Sequence, residues 1–377
     1  MTPVTQRAEP VAPAAGVTPR LERRRAVRWL ALPRRTLPRH LLLAGGALLV
    51  LFAASARVDA FTDYNFAAIA YLAIAAAGLT VLTGVNGQVS LGHGALMAIG
   101  AYTTAVVTIH LHLPVGVTIV TAVASAAVAG LIVGIAAARL RGPYLAGATL
   151  ALAVAVPQLA THFSGTLGGE QGLPVPPLFH PAALGATFPD ERWLAWISFV
   201  AAAAAFVLLA NLKRGRFGRS LRAVRDDESA AALAGIPVAR IQVLAFVVSA
   251  ACAGLAGALF AYWAGLTAPS GFTLGLSLQL LTAIVVGGIG SLPGAVWGSA
   301  LLVYLPTWTN HLATRFSLPA SVGNNLPLAI YGVVLVVVML GFPEGIHGAF
   351  RRAAARLRRE CPPAGGDPEG VVPPVAH

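Results

Sequence analysis

The sequence predicts an all-α protein, a polytopic transmembrane helical bundle of about ten spans with its N- and C-termini on the cytoplasmic side. Three observations predict it. Of 377 residues, 57% are hydrophobic and 11% charged, with a mean hydropathy of +0.75; soluble globular domains carry about 25% charged residues. Apolar runs recur from Leu41 to Phe342, each near the roughly 20 residues needed to cross a bilayer. The net charge of +12 is almost all arginine, Lys213 being the only lysine, and it gathers in short clusters flanking the apolar runs. That clustering is the positive-inside pattern of cytoplasmic loops and argues against a nucleic-acid surface.

Taken in order, residues 1–39 form a basic, Pro/Ala-rich cytoplasmic tail, 40–345 a transmembrane domain, and 346–377 a basic and then Pro/Gly-rich cytoplasmic tail. The first apolar run begins only after a long Pro/Arg-rich stretch, so it reads as a signal-anchor helix, not a cleaved leader. The spans fall at roughly 40–57, 64–83, 90–110, 115–138, 143–162, 193–212, 241–264, 275–290, 292–311 and 325–343. With the N-terminus inside, the arginines at 139 and 141, the loop 213–240 and the run Arg351–Arg359 all land on one face, as an even number of spans requires. The longest external loop, 163–192, carries Glu170, Asp190 and Glu191. Cys252 lies in an apolar run and Cys361 in the tail, so no disulfide and no metal-ligand spacing is expected. Ser90-Leu91-Gly92-His93-Gly94-Ala95 echoes Ser291-Leu292-Pro293-Gly294-Ala295, a possible internal repeat in parallel orientation of the kind transporters use.

Four polar, Gly-rich segments carry the chemistry. The first, Thr83 to Gly94, offers Asn86, Gln88, Ser90 and His93 at a membrane boundary; it reads either as a break lining the translocation path or docking a partner, or as an ordinary cytoplasmic loop with close packing at its glycines. The second, Gly215 to Pro237, suits one helix from Ser220 to Ala234, capped by Ser220 and stopped by Gly235 and Pro237. Leu221 and Val224 recur at helical spacing, with Arg222 and Arg225 flanking Asp226-Asp227-Glu228. Mixed charge beside the small residues Ala230 and Ala231 suits docking into a protein groove, against a merely solvated helix. The third, Val286 to Gly294, places Gly287, Gly288, Gly290 and Ser291 in a tight turn between spans, beside a cavity or simply between packed helices. The fourth holds Gly168, Gly169 and Gly172 in the external loop, where a solute or the protein delivering it arrives.

Absences narrow the function. A phosphate-binding loop needs a lysine preceded by spaced glycines, and Lys213 has none at those positions. No acid lies well inside any expected span, where proton-coupled carriers place theirs. His93 is the ionisable group nearest mid-depth, and His110, His162 and His311 fall at span ends. No nucleophile or acid–base constellation points to a membrane enzyme.

In order and spacing these segments resemble the branched-chain amino acid ABC transporter permeases of the LivM type. Gly84 to Gly94 is similar to that family's Gly-x-x-Gly-Gln-x-Ser-x-Gly-x-Gly signature, Arg141-Gly142-Pro143-Tyr144-Leu145-Ala146 to its inside turn, and Gly168-Gly169-x-x-Gly172-Leu173 to its external motif, with Leu167 inserted after Thr166. The run Leu221-Arg222-Ala223-Val224-Arg225-Asp226-Asp227-Glu228-x-Ala230-Ala231 is similar to its cytoplasmic segment and continues through Gly235-Ile236 to Gly257. Val285-x-Gly287-Gly288-x-Gly290-Ser291-x-x-Gly294 follows. The resemblance covers about 64–345. It implies a subunit of an inner-membrane importer that pairs with a second permease (LivH type), two cytoplasmic ATPase subunits and a periplasmic or lipid-anchored solute-binding protein. It implies leucine, isoleucine or valine as cargo and no cofactor in this chain, ATP and Mg being held by the partner subunits. It makes the run 219–236, with Arg219, Leu221 and Gly235, the coupling segment. An importer of the same architecture for urea, amides or other amino acids is the alternative; an ion-coupled secondary transporter fits less well.

Overall fold

A computed structural model describes residues 37–140, 143–185 and 187–315, together with residues 330, 332–333, 336–337, 345–348 and 352. The described residues are mostly helical. In chain order the α-helices of six residues or more are α1 (Leu37–Ser55), α2 (Ala60–Leu79), α3 (His93–Leu111), α4 (Val115–Ala137), α5 (Pro143–His162), α6 (Asp190–Arg214), α7 (Arg216–Asp226), α8 (Glu228–Leu233), α9 (Val238–Ala264), α10 (Leu274–Gly287) and α11 (Leu292–Arg315). A two-residue antiparallel pair, β1 (Leu173–Pro174) with β2 (Leu266–Thr267), ties the loop after α5 to the end of α9.

Eight helical stretches among the described residues are long and apolar enough to cross a membrane: α1 to α6, α9, and Pro269–Gly287, which includes α10. The helix α11 is 24 residues long but less apolar, with Trp297, Pro306, Trp308 and Asn310 along it. The expected tenth span, 325–343, lies outside the described residues apart from isolated positions, as do Arg141, Gly142 and Cys361. Cys252 is a buried free thiol.

The centre and the periphery differ in burial. Of the most apolar stretch of α2, 83% is buried, against 6% in α1. Accordingly α2 packs on α6, α9, α11 and α10, whereas α1 leans mainly on α6 and turns Leu42 and Leu49 outward. Leucines facing outward from a span are at home in lipid. The helix α9 packs most extensively on α4 and α3, through small residues. A Cβ on Gly254 would lie 2.5 Å from the Ala126 Cβ, one on Gly100 2.6 Å from the Gly254 Cα, and one on Gly130 2.3 Å from the Ala250 Cβ. Lipid supplies no hydrophobic drive between apolar helices, so close backbone approach and dispersion hold such interfaces. The pairings also fix direction. Gly100 meets Gly254 and Thr108 meets Tyr262, so α3 runs parallel to α9; Ala126 meets Gly254 and Gly130 meets Ala250, so α4 runs antiparallel.

Candidate functional site

The helix α2 ends in a wide turn, Thr80–Val85, whose hydrogen bonds reach five residues back; the Asn86 N–H donates to the Val81 carbonyl at 3.1 Å. Turns of this π type occur mostly as local defects and often at functional sites. The chain then runs without helix from Asn86 to Gly92, and α3 opens at His93, not at residue 90. His93 Nδ1 lies 3.4 Å from the Ser249 hydroxyl. Ser249 is eleven residues along α9, so α3 begins about 16 Å above the start of its parallel neighbour at 1.5 Å per residue. The segment 86–92 therefore climbs back alongside the lower half of α9. The segment is thus an unwound stretch packed beside a helix, not one hanging free at the end of the bundle.

A backbone that leaves helix at such depth needs other partners. Hydroxyls from neighbouring helices supply them. The Leu91 N–H donates to Thr149 Oγ1 of α5 at 3.0 Å, and the Gly94 N–H donates to Ser277 Oγ of α10 at 2.9 Å. The Thr83 hydroxyl donates to the Gln88 carbonyl at 3.0 Å, and the Asn86 amide to Gln88 Oε1 at 2.7 Å. Asn86, Gln88, Ser90 and His93 are all buried. Asn86 Oδ1 and Ser90 Oγ, with Thr80 Oγ1 just before them, have no hydrogen-bond partner among the described residues. Buried orphan oxygens cost about 1–3 kcal/mol each, so these three are not explained by packing alone.

The third segment closes on the first. A Cβ on Gly84 would lie 2.5 Å from the Gly290 nitrogen, so position 84 must be glycine for the two turns to touch, while at Gly290 it is the positive φ that calls for glycine. Gly287 and Gly294 meet across the turn in the same way, with a Cβ on Gly287 2.0 Å from the Gly294 carbonyl oxygen. Gly288 and Gly290 take positive φ, and Ser291 donates its N–H to the Gly288 carbonyl and accepts the Gly294 N–H at its hydroxyl. The two Ser-Leu segments thus each precede a long helix, α3 and α11.

The second segment braces both turns, but its helix differs from the one expected. The helix α7 starts at Arg216, after the extended Gly215, and Ser220 does not cap it; its hydroxyl donates back to the Arg216 carbonyl. The chain breaks at Asp227 (φ −159°), whose carboxylate accepts the N–H groups of Ser229 at 2.7 Å and Ala230 at 3.0 Å and so starts α8 afresh. Aspartate is among the strongest N-caps, and here that preference outcompetes helix continuation. Gly235 (φ +78°) ends α8, with its N–H on the Ala232 carbonyl and the Ile236 N–H on the Ala231 carbonyl, the paired bonds of a Schellman stop.

The two short helices sort their side chains by sign. On α7, Leu221 and Val224 are buried, and Arg219, Arg222 and Arg225 line a cleft. Arg225 donates to the Gly84 carbonyl at 2.5 Å, Arg222 to the Lys213 carbonyl at 3.2 Å, and Lys213 Nζ to the Gly290 carbonyl. Asp226, Asp227, Ala230 and Gly235 are exposed, with Ala231 tucked in and Leu233 91% exposed. Glu228 Oε1 accepts from the Gln242 amide at 2.7 Å, tying α8 to α9.

Gly168, Gly169 and Gly172 all take positive φ. A Cβ on Gly172 would lie 2.4 Å from the Thr267 carbonyl oxygen, so the external glycines pin this loop against β2. They stand at the opposite end of the bundle from the arginines, beside the end of α9.

Sequence reasoning missed one cluster at that opposite end. Asp63, just before the expected second span, is completely buried in the first turn of α2. Arg192 Nε lies 3.0 Å from its Oδ2, and the Ser55 hydroxyl donates to Oδ1 at 2.6 Å. Arg192 also donates to the Val58 carbonyl at 2.9 Å, and Trp196 Nε1 to the Ser55 oxygen at 3.2 Å. A lone arginine in the acidic 163–192 loop is the signal that could have found it. Thr149, Ser277 and Gln242 had no signal in the sequence beyond being polar within apolar runs.

Comparison with known proteins shows the family. The family model described as the branched-chain amino acid transport system / permease component matches residues 62–342. The Escherichia coli high-affinity branched-chain amino acid transport system permease protein LivM is 32% identical over 290 residues, 71% of this chain and 66% of its own. The chain thus spans just under two thirds of that relative's length. The Escherichia coli permease protein LivH of the same system is 28% identical over 294 residues, 73% of this chain and 91% of its own. The autoinducer 2 import system permease protein LsrC of Klebsiella pneumoniae is 33% identical over 150 residues, 39% of this chain and 41% of its own. No solved structure matches the chain.

Proposed function

This chain belongs to the family of branched-chain amino acid transport permeases, and from that premise we propose that it is the permease subunit of an ATP-driven importer that carries leucine, isoleucine and valine across the inner membrane. It is a multi-pass membrane protein. Its arginine-rich end faces the cytoplasm, its partners are a second, LivH-like permease, two ATPase subunits and a solute-binding protein, and ATP is hydrolysed on the ATPase subunits. What carries the reading is the brace: α7 reaches the glycine turn below the membrane break through the Arg225–Gly84 bond and its helix-end neighbour Lys213 reaches the second turn at Gly290. A push on α8 is delivered at once to both turns.

In this mechanism the ATPase grips the exposed junction of α7 and α8, with Asp226 ending α7, the cap Asp227, and Leu233 of α8, when ATP closes the ATPase pair. Because Asp227 and Gly235 end α8 sharply on both sides, the six-residue helix moves as a unit. Its hydrogen bond from Gln242 to Glu228 and the packing of Leu221 and Val224 pass that motion to α9 and α7. The break at 86–92, bonded to α5 through one hydroxyl at Leu91 and followed at Gly94 by a single bond from α3 to α10, is the element that yields. Asn86, Gln88, Ser90 and His93 then offer polar contacts to the charged backbone of an amino acid, while the surrounding apolar helices accommodate its side chain.

Reconstitution with the partner subunits tests this. ATP-dependent leucine uptake that exceeds urea uptake supports the reading; the reverse preference assigns another cargo, and uptake by this chain alone without ATP removes the importer assignment. Cysteine introduced at Ala234 should react with an impermeant thiol reagent only from the cytoplasmic side.

A further inference from the structure

Beside the brace lies a cleft of about 1300 Å³. Its wall is apolar: Leu43 and Ala47 of α1, Phe206 and Val207 of α6, and Val296 of α11. Its polar side is cationic: Lys213, Arg214, Arg219, Arg222 and Arg225. Among the described residues that line it, none is acidic. Lys213, Arg222 and Arg225 spend donors on backbone carbonyls, which leaves their charge uncompensated, and Arg214 and Arg219 are exposed with no ion pair among the described residues. The apolar wall continues into the outward leucines of α1, where Leu42 and Leu43 are 77% and 62% exposed. The helix α1 is also the least buried span.

We propose that this cleft binds one anionic phospholipid of the cytoplasmic leaflet, its phosphate among Arg214, Arg219 and Lys213 and an acyl chain along α1, α6 and Val296. Five cations beside an apolar wall that opens toward lipid match an amphiphile with a negative head. Basic pockets between transmembrane helices on the cytoplasmic side take such headgroups, and guanidinium forks match phosphate oxygens. An acidic protein groove would satisfy the charges but has no use for the apolar wall. The exposed acids and Leu233 of α8, which form the ATPase-facing surface, also lie off the cleft. The lipid seated there would bridge α1 to the braced turn at Gly290. The inference rests on the sidedness proposed above but not on transport, so its failure and that of the importer reading can be told apart.

The test is native mass spectrometry of the full chain with its partner permease, released from bilayers of phosphatidylcholine doped with phosphatidylglycerol, with and without the ATPase subunits. The wild type should retain phosphatidylglycerol over phosphatidylcholine, and R214Q/R219Q should lower that retention roughly thirtyfold, as expected for two lost cations near a charged headgroup. The charge-conserving R214K/R219K should keep most of it, and R240Q, on an exposed position off the cleft, should keep all of it. Equal retention of the two lipids by the wild type, or unchanged retention by R214Q/R219Q, would overturn the proposal. So would loss of the lipid on adding the ATPase, which would give the cleft to a protein partner, or displacement by inorganic phosphate alone, which would give it to a free anion.

Discussion

The two ends of the bundle handle charge in opposite ways. At the end away from the arginines, Asp63 and Arg192 neutralise each other inside a closed set of hydrogen bonds with Ser55, Val58 and Trp196. At the arginine-rich end, five cations face one cleft, and the nearest acids, on α7 and α8, point elsewhere. A closed pair holds three elements together and has nothing left to offer. An open set is electrostatically unfinished and invites a partner. The closed pair is therefore structural, and the open set is left for the partner proposed above.

The largest expected effect tests the closed pair. Asp63→Ala leaves Arg192 partly buried without its counter-ion and should destabilise the protein by about 3–5 kcal/mol, read as a lower unfolding midpoint in detergent. Replacing both, Asp63→Leu with Arg192→Met, should recover most of that loss, because well-packed apolar groups often match a buried ion pair. If the double variant is no better than the single one, the pair does more than hold elements together, and the contrast between the ends fails.

Next in size, Glu228→Arg or Gly235→Trp should lower ATP-driven uptake roughly tenfold, within the range of coupling energies between sites, while membrane insertion and ATP hydrolysis persist. The first breaks the bond from Gln242; the second forces an L side chain into positive φ. Uptake at the wild-type rate by either variant would remove the coupling role of α8. A smaller effect is expected at Asp227→Ala, about 1 kcal/mol from a lost N-cap, seen as faster hydrogen exchange over residues 229–233. The smallest is Arg240→Gln, an exposed cation off the cleft, whose stability should change by less than about 0.5 kcal/mol.

The spans were legible because an apolar run of the right length has few other fates, and α5 falls at 143–162 as expected. Depth was not legible. Hydropathy counts residues along the chain, so the run 90–110 gave no sign that α3 starts halfway up α9. The broken coupling helix was legible in principle, since Asp227 within a helical pattern is a cap as well as a helix residue, but the acidic cluster around it reads equally well as surface. Asp63 and Arg192 are 129 residues apart and each sits beside a span end, where charged residues are ordinary. The cleft draws on α1, α6, α7 and α11, and only the folded chain brings their charges and apolar surfaces to one place. The glycines were informative where backbones touch: Gly290 is among the expected turn glycines, and Gly84, which opens the first signature, packs against it.

The interface of α3, α9 and α4 has a mechanical consequence. Where Gly100 faces Gly254 and Gly130 faces Ala250, hardly any side-chain teeth mesh between the helices. Such a surface resists separation, since dispersion is greatest at backbone distance, but resists sliding less than an interlocked one. If the bundle changes shape during a work cycle, the easy motion here is one helix gliding lengthwise past another, with the extended strap at 86–92 taking up the slack.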